Sequence, residues 1–296
     1  MAYFAPITPL NGSIGDARRG CLSSARQPLS DEKGRYRKLK ILVIGDVTSP
    51  AGIDHLEKNL WRKRAELGVD FCVVNGENAS FITGISEELA TRLLRAGADC
   101  ISGGNHTMQN RASHQYLERT KEILRPLNYG DGVPGHGYAI LESGSGYRVL
   151  VMCAMGNVHI EPVLDSPFAF IDRVLKNEEG RYDIAVLDIH AEATGEKLAV
   201  AYAFDGRINV IFGTHTHVRT ADARALPKGT GYITDVGMCG ESGGILGMDP
   251  DRVVERMRTH VLNKFIPSSG EVVAEGALFD IDPSTKVIKG IELVTF

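Results

Sequence analysis

Long apolar runs are missing from this 296-residue chain. None approaches the roughly 20 residues that a membrane helix needs, and the N-terminus has no apolar stretch of the secretory kind, so a cytoplasmic location without membrane contact is expected. Cysteine is sparse: five thiols stand at 21, 72, 100, 153 and 239, odd in number and with no C-x-x-C pair. That spacing excludes a disulfide framework and a thiolate zinc site. It predicts reduced thiols, with Cys72 and Cys153 buried in apolar runs. Positive charge is scarce beyond the first residues. Residues 1–40 hold 8 Lys and Arg against 3 Asp and Glu, a net of +5, so the other 256 carry −4 − 5 = −9. An acidic body argues against long nucleic acid as a partner, because such binding rests on Lys and Arg neutralising phosphates. A small anionic substrate fits if bound cations answer its charge.

With 43% hydrophobic and 24% charged residues, the composition is that of a globular protein with a sizeable core. Residues 1–37 mix Pro, Gly, Ser and Arg without periodicity and predict a flexible N-terminal extension. From residue 38 a single domain begins. "LKILVIGD" reads as a buried strand, Gly52 to Leu67 as an amphipathic helix and "VDFCVVNGEN" as a second strand, together a βαβ unit. Ser86 caps a helix ending at Gly97, and "ADCISGGNH" is a third strand. A helix is expected over Arg111 to Leu124, within a segment (107–134) that is a candidate small helical lid. Strands in "GYAILE", "YRVLVMCAMG", "YDIAVLDIH", "INVIFG" and "TGYITDVG" then alternate with helices at Pro167 to Lys176 and Glu196 to Phe204. A helix over Asp249 to Asn263 precedes two C-terminal strands, expected to be antiparallel. The class is α/β.

Five of these strands end in groups that can bind metal: Asp46, Glu77 with Asn78, Asn105 with His106, His190, and His215 with His217. Ligands gather beyond the carboxyl ends of strands in open α/β sheets, so residues far apart in sequence should converge. Singly, most have structural readings. Asp46 suits a helix cap, "NGEN" a turn, Asn105-His106 a loop pair and His190 a core histidine. "GTHTH" is different, because two imidazoles on one face of an extended segment, with Thr216 turned away, are costly to bury without a partner. Asp46, Glu77, Asn78, Asn105, His190, His215 and His217, seven O and N donors without sulfur, suit Mn²⁺, Fe or Zn²⁺, and they are too many for one tetrahedral ion. Two ions about 3.5–4 Å apart can activate a bridging hydroxide and clamp phosphoryl oxygens.

The order Gly-Asp, Gly-Glu-Asn, Gly-Asn-His, a lone His and Gly-x-His-x-His resembles the calcineurin-like metallophosphoesterase superfamily. More closely, "IGDVTSPAG", "NGENAS", "SGGNHT", "DIHAEATGEK" and "GTHTHVRTADARALPKGTGYITDVGM" are similar to its YmdB-like branch, described as 2′,3′-cyclic-nucleotide 2′-phosphodiesterases. Thr48, where a D-x-H motif has histidine, and Glu77, in place of the usual bridging aspartate, both match that branch. The loops "TSPAG" and "SFITG" depart from it.

The resemblance implies an α/β/β/α sandwich of mixed sheets whose catalytic domain spans 38–296. It implies two divalent or mixed-valence ions, iron or manganese first and zinc next. Asp46, Glu77, Asn78 and His217 would hold one ion, with Glu77 bridging to a second held by Asn105, His190 and His215. His106 would be the proton donor as a hydroxide attacks a small phosphodiester, opening a 2′,3′-cyclic nucleotide to a 3′-phosphate. Glu192, Asp222 and Asp235 are candidates to orient the ligand histidines. Phosphomonoesterase or broader phosphodiesterase activity at the same site, and a metal-stabilised scaffold for RNA or a regulatory partner, are the alternatives. An amidohydrolase is disfavoured because its His-x-His comes early in the chain, and a homo-oligomer remains open.

Overall fold

The computed structural model describes residues 39–81 and 84–296; the expected extension over 1–37 and Cys21 lie outside them. β1 (Leu39–Ile44) leads through Gly45 into the short β2 (Asp46–Val47) and α1 (Pro50–Leu67), followed by β3 (Phe71–Asn75), α2 (Glu87–Ala96) and β4 (Cys100–Ser102). Beyond α3 (His114–Arg119), β5 (Tyr138–Glu142) and β6 (Arg148–Met155) form a hairpin. Then come α4 (Pro167–Asn177), β7 (Ile184–His190), α5 (Thr194–Ala203), β8 (Val210–Thr214), β9 (Arg224–Ala225) and β10 (Gly231–Ile233). The chain closes with β11 (Met238–Glu241), α6 (Pro250–Thr259), β12 (Val272–Ile281) and β13 (Ile288–Thr295).

Two mixed sheets result. One has the order β2-β11-β12-β1-β3-β4, with β13 also paired to β12, and the other the order β5-β6-β7-β8-β10-β9. The central pairs β1–β3–β4 and β6–β7–β8–β10 are parallel, while β12 runs antiparallel to β1. Central strands are apolar on both faces because each face packs on a different layer. Ile41, Val43, Phe71, Val73, Val151, Val186 and Phe212 meet between the sheets. Leu42, Ile44, Cys72 and Val74 face Ile53, Leu56 and Leu60 of α1 and Leu93 of α2. Leu150, Met152, Leu187 and Ile211 face Ile171 of α4 and Val200 of α5. The four layers are helix, sheet, sheet, helix, as expected.

Local signals set several boundaries. Ser86 caps α2 by accepting from the Leu89 amide, and Gly97 ends it in the left-handed region at φ 117°. α1 starts two residues earlier than expected, at Pro50, with Ser49 as its cap. The expected helix over Arg111 to Leu124 is corrected: only His114–Arg119 is α-helical, and 3-10 turns precede it at Thr107–Gln109 and Arg111–Ser113. Its C-terminal part instead pairs with β4, where the Ile101 amide donates to the Glu122 carbonyl and the Leu124 amide to the Ile101 carbonyl. An open sheet edge needs covering, and that need overrides helical periodicity here. α6 stops at Thr259, with His260 left-handed at φ 56°, so the expected helix is four residues too long at its C-terminal end. β2, β9 and β11 are too short to carry a periodicity. Among the described residues, Cys72, Cys100, Cys153 and Cys239 are free and buried, and no helix is long and apolar enough to cross a membrane.

Candidate metal centre

β1, β3 and β4 of one sheet and β7 and β8 of the other end at the same rim of the sandwich, and their following residues meet there. Asp46, Glu77, Asn78 and His190 are buried, with Asn105, His106, His215 and His217 partly so. All eight expected site residues are therefore brought together, the junction lying between two sheets rather than along one. Gly104 makes room for it: a Cβ there would lie 2.6 Å from Glu77 Oε2 and would strike the His190 ring.

The atoms facing inward are electron-pair donors. His190 Nε2 lies 2.9 Å from Asn105 Oδ1, 3.2 Å from His215 Nδ1 and 3.4 Å from Glu77 Oε1. Glu77, His190 and His215 each offer a ligand atom within 4.8 Å of the others. Beside them His217 Nε2 lies 3.8 Å from Asp46 Oδ1 and 3.3 Å from the Asn78 amide nitrogen. Asp46 Oδ1 and Asn78 Oδ1 are buried without a hydrogen-bond partner. Outward-facing ring nitrogens, by contrast, each meet an oxygen: His190 Nδ1 the Thr214 hydroxyl at 2.9 Å, His215 Nε2 the Glu192 carboxylate at 3.2 Å, and His217 Nδ1 the Leu246 carbonyl at 3.2 Å. Rings held from outside with lone pairs turned inward suit cation binding, and the orphaned Asp46 and Asn78 oxygens fit the same group. As placed, Asn78 turns its amide nitrogen to Glu77 and His217, so ligation through Oδ1 requires that amide to rotate.

Burial sets the electrostatics. It pushes the Asp46 carboxyl up to about 7, with the Asp235 charge adding to the effect, and raises Glu77 well above the usual carboxylate range, with Asp46 adding. His215 is lowered to about 4 by burial and by the neighbouring His217, and burial likewise lowers His190, His217 and His106. Crowded carboxylates that resist ionisation, beside imidazoles that stay neutral, are the environment a cation relieves.

One expected geometry is corrected. β8 ends at Thr214, and His215 (φ 98°) and His217 (φ 60°) are both left-handed, so they do not share a face through strand alternation. Hydrogen bonds hold the turn instead. Asp235 Oδ2 accepts from the Thr216 amide and hydroxyl at 3.1 and 2.8 Å, and the His215 amide donates to Asp46 Oδ2 at 3.0 Å. Of the three candidate orienting carboxylates, Glu192 meets a histidine ring, that of His215; Asp235 secures Thr216, and Asp222 accepts from Thr220 and Thr234.

Five buried polar residues outside the expected set support the centre. Asn75, Ser102, Asp188 and Thr214 form a hydrogen-bonded group beneath it, and Lys197 donates to Asp235 Oδ2 and the Thr214 carbonyl. A signal for four of them was present: on β3, β4, β7 and β8 the apolar face turned to the other sheet ends in Asn75, Ser102, Asp188 and Thr214. A separate cleft of about 500 Å³ lies among Arg125, His136, Tyr138, Glu178 and Arg181. Its Arg125 guanidinium already donates to the carbonyls of Pro126, Gly130, Val133 and Pro134, and none of the strand-end residues lines it.

Two mixed sheets packed between helices, with carboxylate, amide and imidazole groups at their strand ends, define a metallophosphoesterase-type sandwich. The match to the model of the YmdB-like protein family covers residues 42–294, and the chain belongs to that family. A 2′,3′-cyclic-nucleotide 2′-phosphodiesterase of Bacillus subtilis (strain 168) is 38% identical over 256 residues, covering 86% of this chain and 96% of that protein. Two crystal structures share the fold. A hypothetical protein from Thermus thermophilus has a TM-score of 0.79 at 35% identity, covering 87% of this chain and 99% of that one. A phosphatase of Mycoplasma pneumoniae has a TM-score of 0.80 at 30% identity, covering 88% and 94%.

Proposed function

We propose that this chain is a phosphodiesterase that opens 2′,3′-cyclic nucleotides to 3′-phosphates with two divalent or mixed-valence ions, iron or manganese before zinc. The observation that carries the reading is the convergence of Glu77 Oε1, His190 Nε2 and His215 Nδ1, potential ligand atoms from three strands of two sheets. Asp46, Glu77, Asn78 and His217 would hold one ion, and Glu77, Asn105, His190 and His215 the other. The sulfur-free donor set favours iron or manganese. When bound, such ions supply Lewis acidity that generates the nucleophile from water and offsets phosphoryl charge.

The chain's own groups do the rest. His106 follows Asn105 directly, and its Nδ1 is buried without a partner. As the bond from phosphorus to the 2′ oxygen breaks, the His106 imidazolium gives its proton to that oxygen. Burial keeps the ring neutral in the free protein, against the pull of the Gln109 side chain, and a phosphodiester anion within reach restores its proton.

The Bacillus relative's name supports the cyclic-nucleotide reading, and the Mycoplasma phosphatase favours monoester hydrolysis as the second. Metal analysis of protein purified without added metal, followed by a panel of 2′,3′-cyclic AMP, bis(p-nitrophenyl) phosphate and p-nitrophenyl phosphate, separates them. Near two ions per chain with 3′-phosphate products is expected. Preference for the monoester would overturn the choice.

A further inference from the structure

We infer that α6 and the residues just after it form a self-association surface, on which a second copy of this chain packs its own α6 antiparallel across a two-fold axis. The excursion that carries them runs from β11 to β12 and is closed at its neck. There the Ser242 amide donates to the Glu271 carbonyl, the Ser268 amide to that of Gly247 and the Asp249 amide to that of Ile266. Asp249 caps α6 by accepting from the Arg252 amide, and Pro250 opens its first turn. Beyond that start little of the helix is packed, for Val253 alone of its 10 residues is buried.

Its apolar side chains face outward instead. Thirteen large hydrophobic residues are exposed among the described residues, and seven of them stand within residues 245–266. Val254 and Met257 lie about one turn apart on one face of α6, and Val261, Leu262 and Ile266 follow after the left-handed His260. Met257 is 74% exposed and Leu262 79%. Apolar exposure crowded into one segment marks an interaction surface, whereas single exposed residues scattered elsewhere do not.

Size and charge select the occupant. Residues 245–266 number 22, the scale of one side of a stable interface, which takes about 20–30 residues. Asp251 and Arg258 stand seven residues apart, about two turns, so they flank the Val254–Met257 face on the same side. Both are exposed, and neither has an ion pair among the described residues. In antiparallel packing Asp251 of each copy lies against Arg258 of the other and the helix dipoles oppose, while parallel packing would set like charge against like. The chain's own N-terminal residues are a poorer match. Residues 1–37 hold six Lys and Arg against three Asp and Glu, and residues 245–266 four against three, so both are net positive.

Analytical ultracentrifugation of the full chain at roughly 50 µM, where an interface of this size associates, gives the assembly mass. Wild type should be a dimer or a multiple of one. Met257→Glu places a charge in the interface twice and should weaken association by at least roughly 100-fold, halving the mass. Asp251→Lys and Arg258→Glu should each weaken it by roughly 3–30-fold, and the double variant, which only reverses the pair, should recover wild-type association. All three side chains are exposed, so circular dichroism should match wild type throughout. A monomeric wild type, or Met257→Glu with unchanged mass, would overturn the inference. So would a monomer that dimerises only once residues 1–37 are removed, since those residues would then be what covers the face. Failure of the double variant to recover overturns the antiparallel packing.

Discussion

Replacing Lys197 with Met removes a buried cation while keeping most of the side-chain volume. Lys197 is 0% exposed, and its ammonium donates to the Thr214 carbonyl at 2.8 Å and to Asp235 Oδ2 at 2.9 Å. Asp235, also 0% exposed, keeps three other donors: the Thr216 amide and hydroxyl at 3.1 and 2.8 Å and the Gly237 amide at 2.9 Å. Breaking a buried pair by removing one partner costs about 3–5 kcal/mol, because a charge is stranded in low dielectric. The three surviving donors place this case toward the lower end, near about 3 kcal/mol, still a large share of a total stability of roughly 5–15 kcal/mol. Urea unfolding of metal-free protein measures it. Asp235→Asn and the double variant complete a cycle, in which the double should cost at least about 1 kcal/mol less than the sum, since it strands no charge. Thr214 precedes His215 and Asp235 holds Thr216, so Lys197→Met should also release bound metal faster. A cost for Lys197→Met below about 1 kcal/mol, or strict additivity in the cycle, would refute the reasoning.

Three further outcomes are expected. His106→Ala should retain its metal content while turnover of 2′,3′-cyclic AMP falls by roughly 10²–10⁴, the range for losing a positioned proton donor; loss of metal together with turnover would reassign His106 to structure. Gly104→Ala places a Cβ 2.6 Å from Glu77 Oε2, and metal per chain by plasma emission should drop well below wild type, whereas full occupancy would show that the His190 and Glu77 side chains can yield. At pH 6 metal binding should release protons: Asp46, raised to about 7, and Glu77, raised well above its ordinary value, hold protons below those values and must give them up to a cation. Calorimetry in buffers of differing ionisation enthalpy reads the release. The share from Asp46 should shrink as the pH rises past 7, and buffer-independent heats at pH 6 contradict the raised carboxyls.

The site was more legible than its support. Asp46, Glu77, Asn78, Asn105, His106, His190, His215 and His217 stand at or just past strand ends, most of them after a glycine, where side-chain chemistry contrasts sharply with the apolar run before it. Asn75, Ser102, Asp188 and Thr214 sit inside those runs and read as minor polar interruptions. Their meaning depends on the opposite sheet: Asp188 of β7 meets Ser102 and Asn75 of β4 and β3 only once the sheets are stacked. Lys197, a charge on the buried side of α5, likewise makes sense only with Asp235 opposite.

By itself the sequence determined the alternation of strands and helices, the caps at Ser86 and Gly97, and the places where groups able to ligate a metal leave the strands. Those features rest on local physics: side-chain period, backbone freedom and capping are properties of neighbouring residues. The tertiary structure alone decided that β12 lies antiparallel beside β1, that residues 120–124 cover β4 instead of extending a helix, and that His215 and His217 turn inward through left-handed backbone rather than strand alternation. Each depends on a partner far along the chain, an open edge to be paired or a buried carboxylate such as Asp235 to be satisfied, and pairings at that range leave no period in the sequence.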